Sequence, residues 1–157
     1  MGTCTFASLA GLVYLVIGIL GFLPSLTSAP PAGAPHLALA TNYGYLFGLF
    51  PVNLLHNVFH IAIGAWGFLA SRSFAASRAF ARGVAMLYGV LTLMGLFSGL
   101  NTAFGWLPLF GHDVWMHAGT AVVAAYFGFA AAPEVTRVRR TGIKSDRVKI
   151  YEERPQA

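Results

Sequence analysis

Four long stretches of this chain, at about 7–23, 52–70, 83–100 and 114–132, contain no Asp, Glu, Lys or Arg. Each is close to the roughly 20 residues that a helix needs to cross a bilayer core. They are apolar on successive residues and so lack the alternation of barrel strands. With 57% hydrophobic and 10% charged residues, against roughly a quarter charged in soluble domains, the composition excludes an ordinary soluble enzyme, a coiled coil and a disordered chain. The expected fold is all-α: a polytopic membrane four-helix bundle over residues 1–132, followed by a basic tail at 133–157. The single cysteine, Cys4, excludes an internal disulfide or a zinc ribbon.

The ten basic residues fall in two places. Arg72, Arg78 and Arg82 lie between the second and third spans, and the others, from Arg137 to Arg154, follow the fourth. Lys and Arg mark the cytoplasmic side of a membrane protein. Both termini and the middle loop are therefore expected in the cytoplasm, with loops 24–51 and 101–113 outside. The first span has no charged leader and is longer than a signal core, so it is expected to stay as a multi-pass segment. The start of the tail, Arg137 to Lys144, would be drawn to anionic lipids at about 1 kcal/mol per basic residue. Positive-inside topology accounts for the +5 net charge, so no nucleic-acid partner is expected.

The two halves look like copies of one helical hairpin. Gly11, Tyr14, Gly18, Gly21 and Ser25 in the first span recur with identical spacing as Ala85, Tyr88, Thr92, Gly95 and Gly99 in the third. His56 and His60 in the second recur as Asp113 and His117 in the fourth. Tandem two-helix units keep their orientation, which predicts a pseudo-twofold axis along the membrane normal. The loop around Pro30, Pro31, Gly33 and Pro35 lengthens the first copy and reads as an irregular external segment.

At about 100° per residue, Asn53, His56, Asn57, His60, Gly64 and Gly67 share one face of the second span. Asp113, His117 and Thr120 share a face of the fourth. Polar side chains avoid lipid and small ones admit close neighbours, so these faces are expected to meet inside the bundle with Tyr14 and Tyr88. At about 1.5 Å per residue, His60 lies about 12 Å and His117 about 6–8 Å below the outer ends of their helices.

Ionisable residues inside a membrane point to a functional site, and three readings fit. In the first, His56, His60, His117 and Asp113, with Asn53 and Asn57, are interhelical hydrogen-bond glue in a structural or assembly subunit of a larger complex. In the second, the three histidines and Asp113 hold zinc, copper or iron, with Asn53, Asn57, Tyr14, Tyr88 and Thr120 around them. In the third, His60 and His117 ligate haem b or another tetrapyrrole, with Gly64, Gly21 and Gly95 leaving room beside the pocket. His112 is a spare ligand or a rim residue. Partners are the lipid bilayer and a membrane protein or a second copy of the chain. Beyond Asp113 no general acid or base stands out, so a binding or accessory protein is preferred to an enzyme.

The segment Phe50-Pro51-Val52-Asn53-Leu54-Leu55-His56-Asn57-Val58-Phe59-His60 and the Asp113-Val-Trp-Met-His117 segment resemble the signature of a family of small four-span bacterial membrane proteins classed as a domain of unknown function. The resemblance covers about Leu9 to Ala132. It implies a four-helix protein of the bacterial inner membrane whose second and fourth spans carry the signature histidines, and it implies no activity or cofactor.

Overall fold

The computed structural model describes residues 2–131; the tail expected at 133–157 lies outside them. The protein is mostly helical, with α1 (Thr3–Leu20), α2 (Leu54–Ala70), α3 (Phe74–Leu96) and α4 (His112–Ala125). Helices α1 and α3 are long and apolar enough to cross a membrane, and α2 is a shorter apolar helix. After α4 the chain widens into one turn, Tyr126–Ala130, closed by the Ala131 N–H donating to the Tyr126 carbonyl at 2.9 Å.

The largest departure from the sequence reading is at α3, which begins at Phe74 rather than 83. Ser73 caps it by accepting a hydrogen bond from the Ala76 N–H at 3.2 Å. Arg78 and Arg82 therefore lie on the helix, and only 71–73 connects α2 to α3. A charge-free run ends at the first arginine, but a helix does not, because the long side chain carries its charge to a partner. Here both guanidinium Nε atoms donate to the Gly128 carbonyl, at 3.0 and 2.9 Å. At its other end α3 stops at Leu96 instead of reaching 100, because Phe97 is extended (φ −105, ψ 121) and turns follow.

The connection between α1 and α2, expected to be irregular, contains a small antiparallel sheet. Its strands β1 (Thr27–Ser28), β2 (Gly44–Leu46) and β3 (Phe50–Val52) lie in the order β1-β2-β3. Leu46 pairs with Phe50 across a short turn in which Phe47 and Gly48 are both left-handed, with φ of 55 and 72. The alternating chain buries Leu46 and Val52 and turns Phe47 outward.

Helix α1 packs along α2, and α3 along α4. Small residues set the α1–α2 distance: a Cβ on Gly11 would stand 2.8 Å from the Phe68 nitrogen, and one on Gly67 would stand 2.9 Å from the Ala7 carbonyl. Phe6, Phe80 and Phe127 form an aromatic layer at one end of the core, with Phe6 stacked on Phe127 at 4.6 Å. Tyr14 and Tyr88 lie above it, their rings 5.4 Å apart. Beyond the tyrosines the interior turns polar. On the outside, Leu12, Val16, Ile19, Met86, Val90, Leu93 and Val122 leave the helices covered in apolar side chains.

Candidate metal centre

Asn53 starts the construction of the polar layer. Its side-chain oxygen accepts the His56 N–H at 2.9 Å and so begins α2. Its amide nitrogen donates to the Leu39 carbonyl at 3.0 Å and the Trp106 carbonyl at 2.8 Å. One side chain thus fastens the two long helix-to-helix connections, at 21–53 and 97–111, over the start of α2. A further backbone bond, from the Leu39 N–H to the Gly105 carbonyl at 3.1 Å, joins these two connections directly.

One turn into α2, His56 and His60 project from the same face, their rings 4.4 Å apart. His117 comes from α4, with its ring 6.1 Å from that of His56. The ligating atoms of the three imidazoles all lie within 4.8 Å of one another. Asp113, one turn before His117, directs Oδ2 to within 3.6 Å of His117 Nε2 and 3.7 Å of His56 Nε2. All four side chains are buried.

These groups are close without being hydrogen-bonded. Nδ1 of each histidine and Oδ2 of Asp113 have no hydrogen-bond partner among the described residues. Buried polar atoms left this way are costly, about 1–3 kcal/mol each, and call for a partner. Three imidazole nitrogens within 4.8 Å of one another, with a carboxylate oxygen beside two of them, are all electron-pair donors when the imidazoles are neutral and the carboxylate ionised, and suit a cation.

Aromatic rings wall the cluster. Tyr14 stacks on His60 at 5.4 Å and Tyr88 meets His117 edge-on at 4.9 Å. The Tyr14 hydroxyl donates to Thr120 Oγ1 at 3.2 Å. Two cavities reach the histidines, one of about 60 Å³ between α2 and α3 and one of about 100 Å³ between α1 and α4.

The structure thus brings His56, His60, His117 and Asp113 together, with Tyr14, Tyr88 and Thr120 beside them. Asn53 is engaged with the connections. Asn57 is buried against α1 at Gly21, where any Cβ would run into its amide. The expected free space beside Gly64 and Gly95 is taken. Gly64 faces the backbone of Gly11 and Leu15, and Gly95 faces the Leu109 carbonyl and Val114. His112 is an exposed rim residue edge-on to Phe50. The cover over the cluster, Leu107 and Leu109 on one side and Leu46 and Val52 on the other, escapes sequence reasoning. Its only signal is the run of apolar residues in two loops.

The family described as Domain of unknown function (DUF4383) matches residues 5–130, and the chain belongs to it. No curated protein and no solved structure matches the chain.

Proposed function

We propose that this chain is a four-span protein of the bacterial inner membrane that binds a divalent transition-metal ion, of the zinc, copper or iron class, through His56, His60 and His117 with Asp113. The observation that carries the metal assignment is the convergence of three histidine ligand atoms within 4.8 Å, two of them facing a carboxylate oxygen that makes no hydrogen bond. A tetrahedral site with bonds of about 2.0 Å needs ligand atoms roughly 3.3 Å apart. The two carboxylate-to-imidazole distances, 3.6 and 3.7 Å, are near that spacing, and the imidazoles reach it by closing inward by about 1 Å.

Helix glue would join these atoms to one another, whereas the carboxylate stands just beyond hydrogen-bond reach of both imidazoles. A bis-histidine haem sets its imidazoles on opposite faces of a broad slot. Here the His56 ring crowds both imidazoles, 4.4 Å from His60 and 6.1 Å from His117, tyrosines cover His60 and His117, and the adjoining cavities measure about 60 and 100 Å³. The geometry favours a bare ion.

Two apolar helices of spanning length and the apolar exterior of all four support the membrane reading. The positions of Arg72, Arg78 and Arg82 support cytoplasmic termini, with the metal near the outer face. The tandem-repeat reading gains support from matched contacts: Tyr14 on His60 and Tyr88 on His117, and Gly21 against Asn57 and Gly95 against Val114. The function is that of a metal-binding or accessory protein. Elemental analysis of the full chain, purified in mild detergent and reloaded with Zn²⁺ or Co²⁺, tests it. One ion per chain is expected, lost in His60→Ala and in His117→Ala. Metal-free protein that binds neither ion at micromolar concentration overturns the reading.

A further inference from the structure

We propose that the metal, held by its four protein ligands, takes as a fifth ligand the carboxylate of a single-chain fatty acid, which enters from the bilayer along the seam between α1 and α4. The inference rests on the metal reading above. A divalent ion with one aspartate and three neutral imidazoles retains one net positive charge in a dry interior. Buried charge of that kind calls for a counter-ion.

The two cavities beside the cluster are the same cleft seen twice. In the repeat alignment Phe59, Ile63, Tyr88 and Leu91, which line the one between α2 and α3, correspond to Met116, Thr120, Tyr14 and Ile17, which line the one between α1 and α4. The copies differ where Thr120 replaces Ile63. Only the larger, α1–α4 cleft carries the Tyr14–Thr120 hydroxyl pair, able to donate a hydrogen bond to an oxyanion beside the metal.

A second cavity adjoins that cleft across the Tyr14–Thr120 hydrogen bond, which has to part for a chain to pass. Tyr14 and Thr120 line this cavity too, of about 210 Å³, which follows the seam past Val13, Ala10 and Leu9 to Phe6 and Val123. Its walls are apolar apart from the two hydroxyls. From Tyr14 to Phe6 the groove descends about 12 Å, at about 1.5 Å per residue. A polar end beneath the outer face and an apolar channel leading inward match a lipid of the outer leaflet, head up and tail down. A narrow channel between two helices suits one acyl chain rather than two, and a carboxylate supplies the missing single negative charge.

The experiment uses the full chain loaded with Co²⁺ in phosphatidylcholine nanodiscs, with the cobalt visible band followed during titration with palmitate, acetate and methyl palmitate. Palmitate should shift the band with at least 100-fold higher affinity than acetate, and methyl palmitate should leave it unchanged. Val13→Trp, which fills the groove from its lipid-facing side, should keep the cobalt spectrum and the acetate response while weakening palmitate at least tenfold. Leu91→Trp, in the α2–α3 cleft, should change neither. Equal responses to palmitate and acetate, a shift with the ester, or a palmitate loss in Leu91→Trp but not in Val13→Trp would overturn the proposal and leave the metal site standing. Absence of any cobalt band would remove the metal reading and this inference with it.

Discussion

Asp113 Oδ2 stands 3.6 Å from His117 Nε2 on its own helix and 3.7 Å from His56 Nε2 on α2, so one carboxylate oxygen faces imidazoles from both hairpins. Asp113→Asn keeps the shape and removes the charge. Metal affinity is expected to fall about 10–100-fold, measured by competition with a chromophoric chelator. Undiminished affinity would take Asp113 out of the site.

Asn53 joins a helix cap to two loop carbonyls. Asn53→Ala removes all three hydrogen bonds from a buried position and is expected to destabilise the protein by about 2–4 kcal/mol. Asn53→Asp retains the cap but sets a buried carboxylate oxygen against both loop carbonyls and should be at least as destabilised as Ala. Denaturant titration in detergent, followed by helicity, orders the three.

Glycines at the helix seams and on the open outer surface should respond in opposite directions. Gly67→Ala places a methyl group 2.9 Å from the Ala7 carbonyl, and overpacking of this kind costs about 1–3 kcal/mol. Gly89, also helical, has open space around it, so Gly89→Ala should gain about 0.5–1 kcal/mol from helix propensity. Thermal unfolding of the pair reads the difference, and a shift of the same sign in both would contradict the packing described.

Tyr43, in the α1–α2 connection, donates its hydroxyl to the Pro35 carbonyl at 3.0 Å. Partial burial, with Tyr45 beside it, pushes its pKa up to about 12. The folded state therefore holds this proton more tightly than an unfolded chain, whose tyrosine titrates near 10. The stabilisation is complete below about pH 10 and is lost as the pH rises toward 12. The denaturant midpoint should fall across that window, and Tyr43→Phe should remove the Tyr43 contribution to the fall.

The histidine spacing carried much of the candidate site. Imidazoles four residues apart on an apolar helix must share a face, and polar faces of neighbouring helices meet to escape lipid. The match of Tyr14 with Tyr88 likewise put both rings at histidine depth. What escaped depends on contacts between distant segments. Asn53 reads as part of the polar stripe, yet the carbonyls of Leu39 and Trp106 claim its amide. Gly64 reads as space for a cofactor, but the α1 backbone fills it. The start of α3 is hidden from hydropathy by Arg78 and Arg82, whose Nε–H groups the Gly128 carbonyl accepts. The β-sheet, built from strands of two and three residues, is too short to leave a periodic signature.

The cover made of the sheet and the second connection has a kinetic meaning. With Leu46, Val52 and Leu109 buried over the histidines and both connections tied to Asn53, an ion arriving from water has to wait for that cover to come loose. Exchange of an ion held there would then be slow, on the timescale of that opening, and a bound ion would outlast brief changes in the metal content of its surroundings.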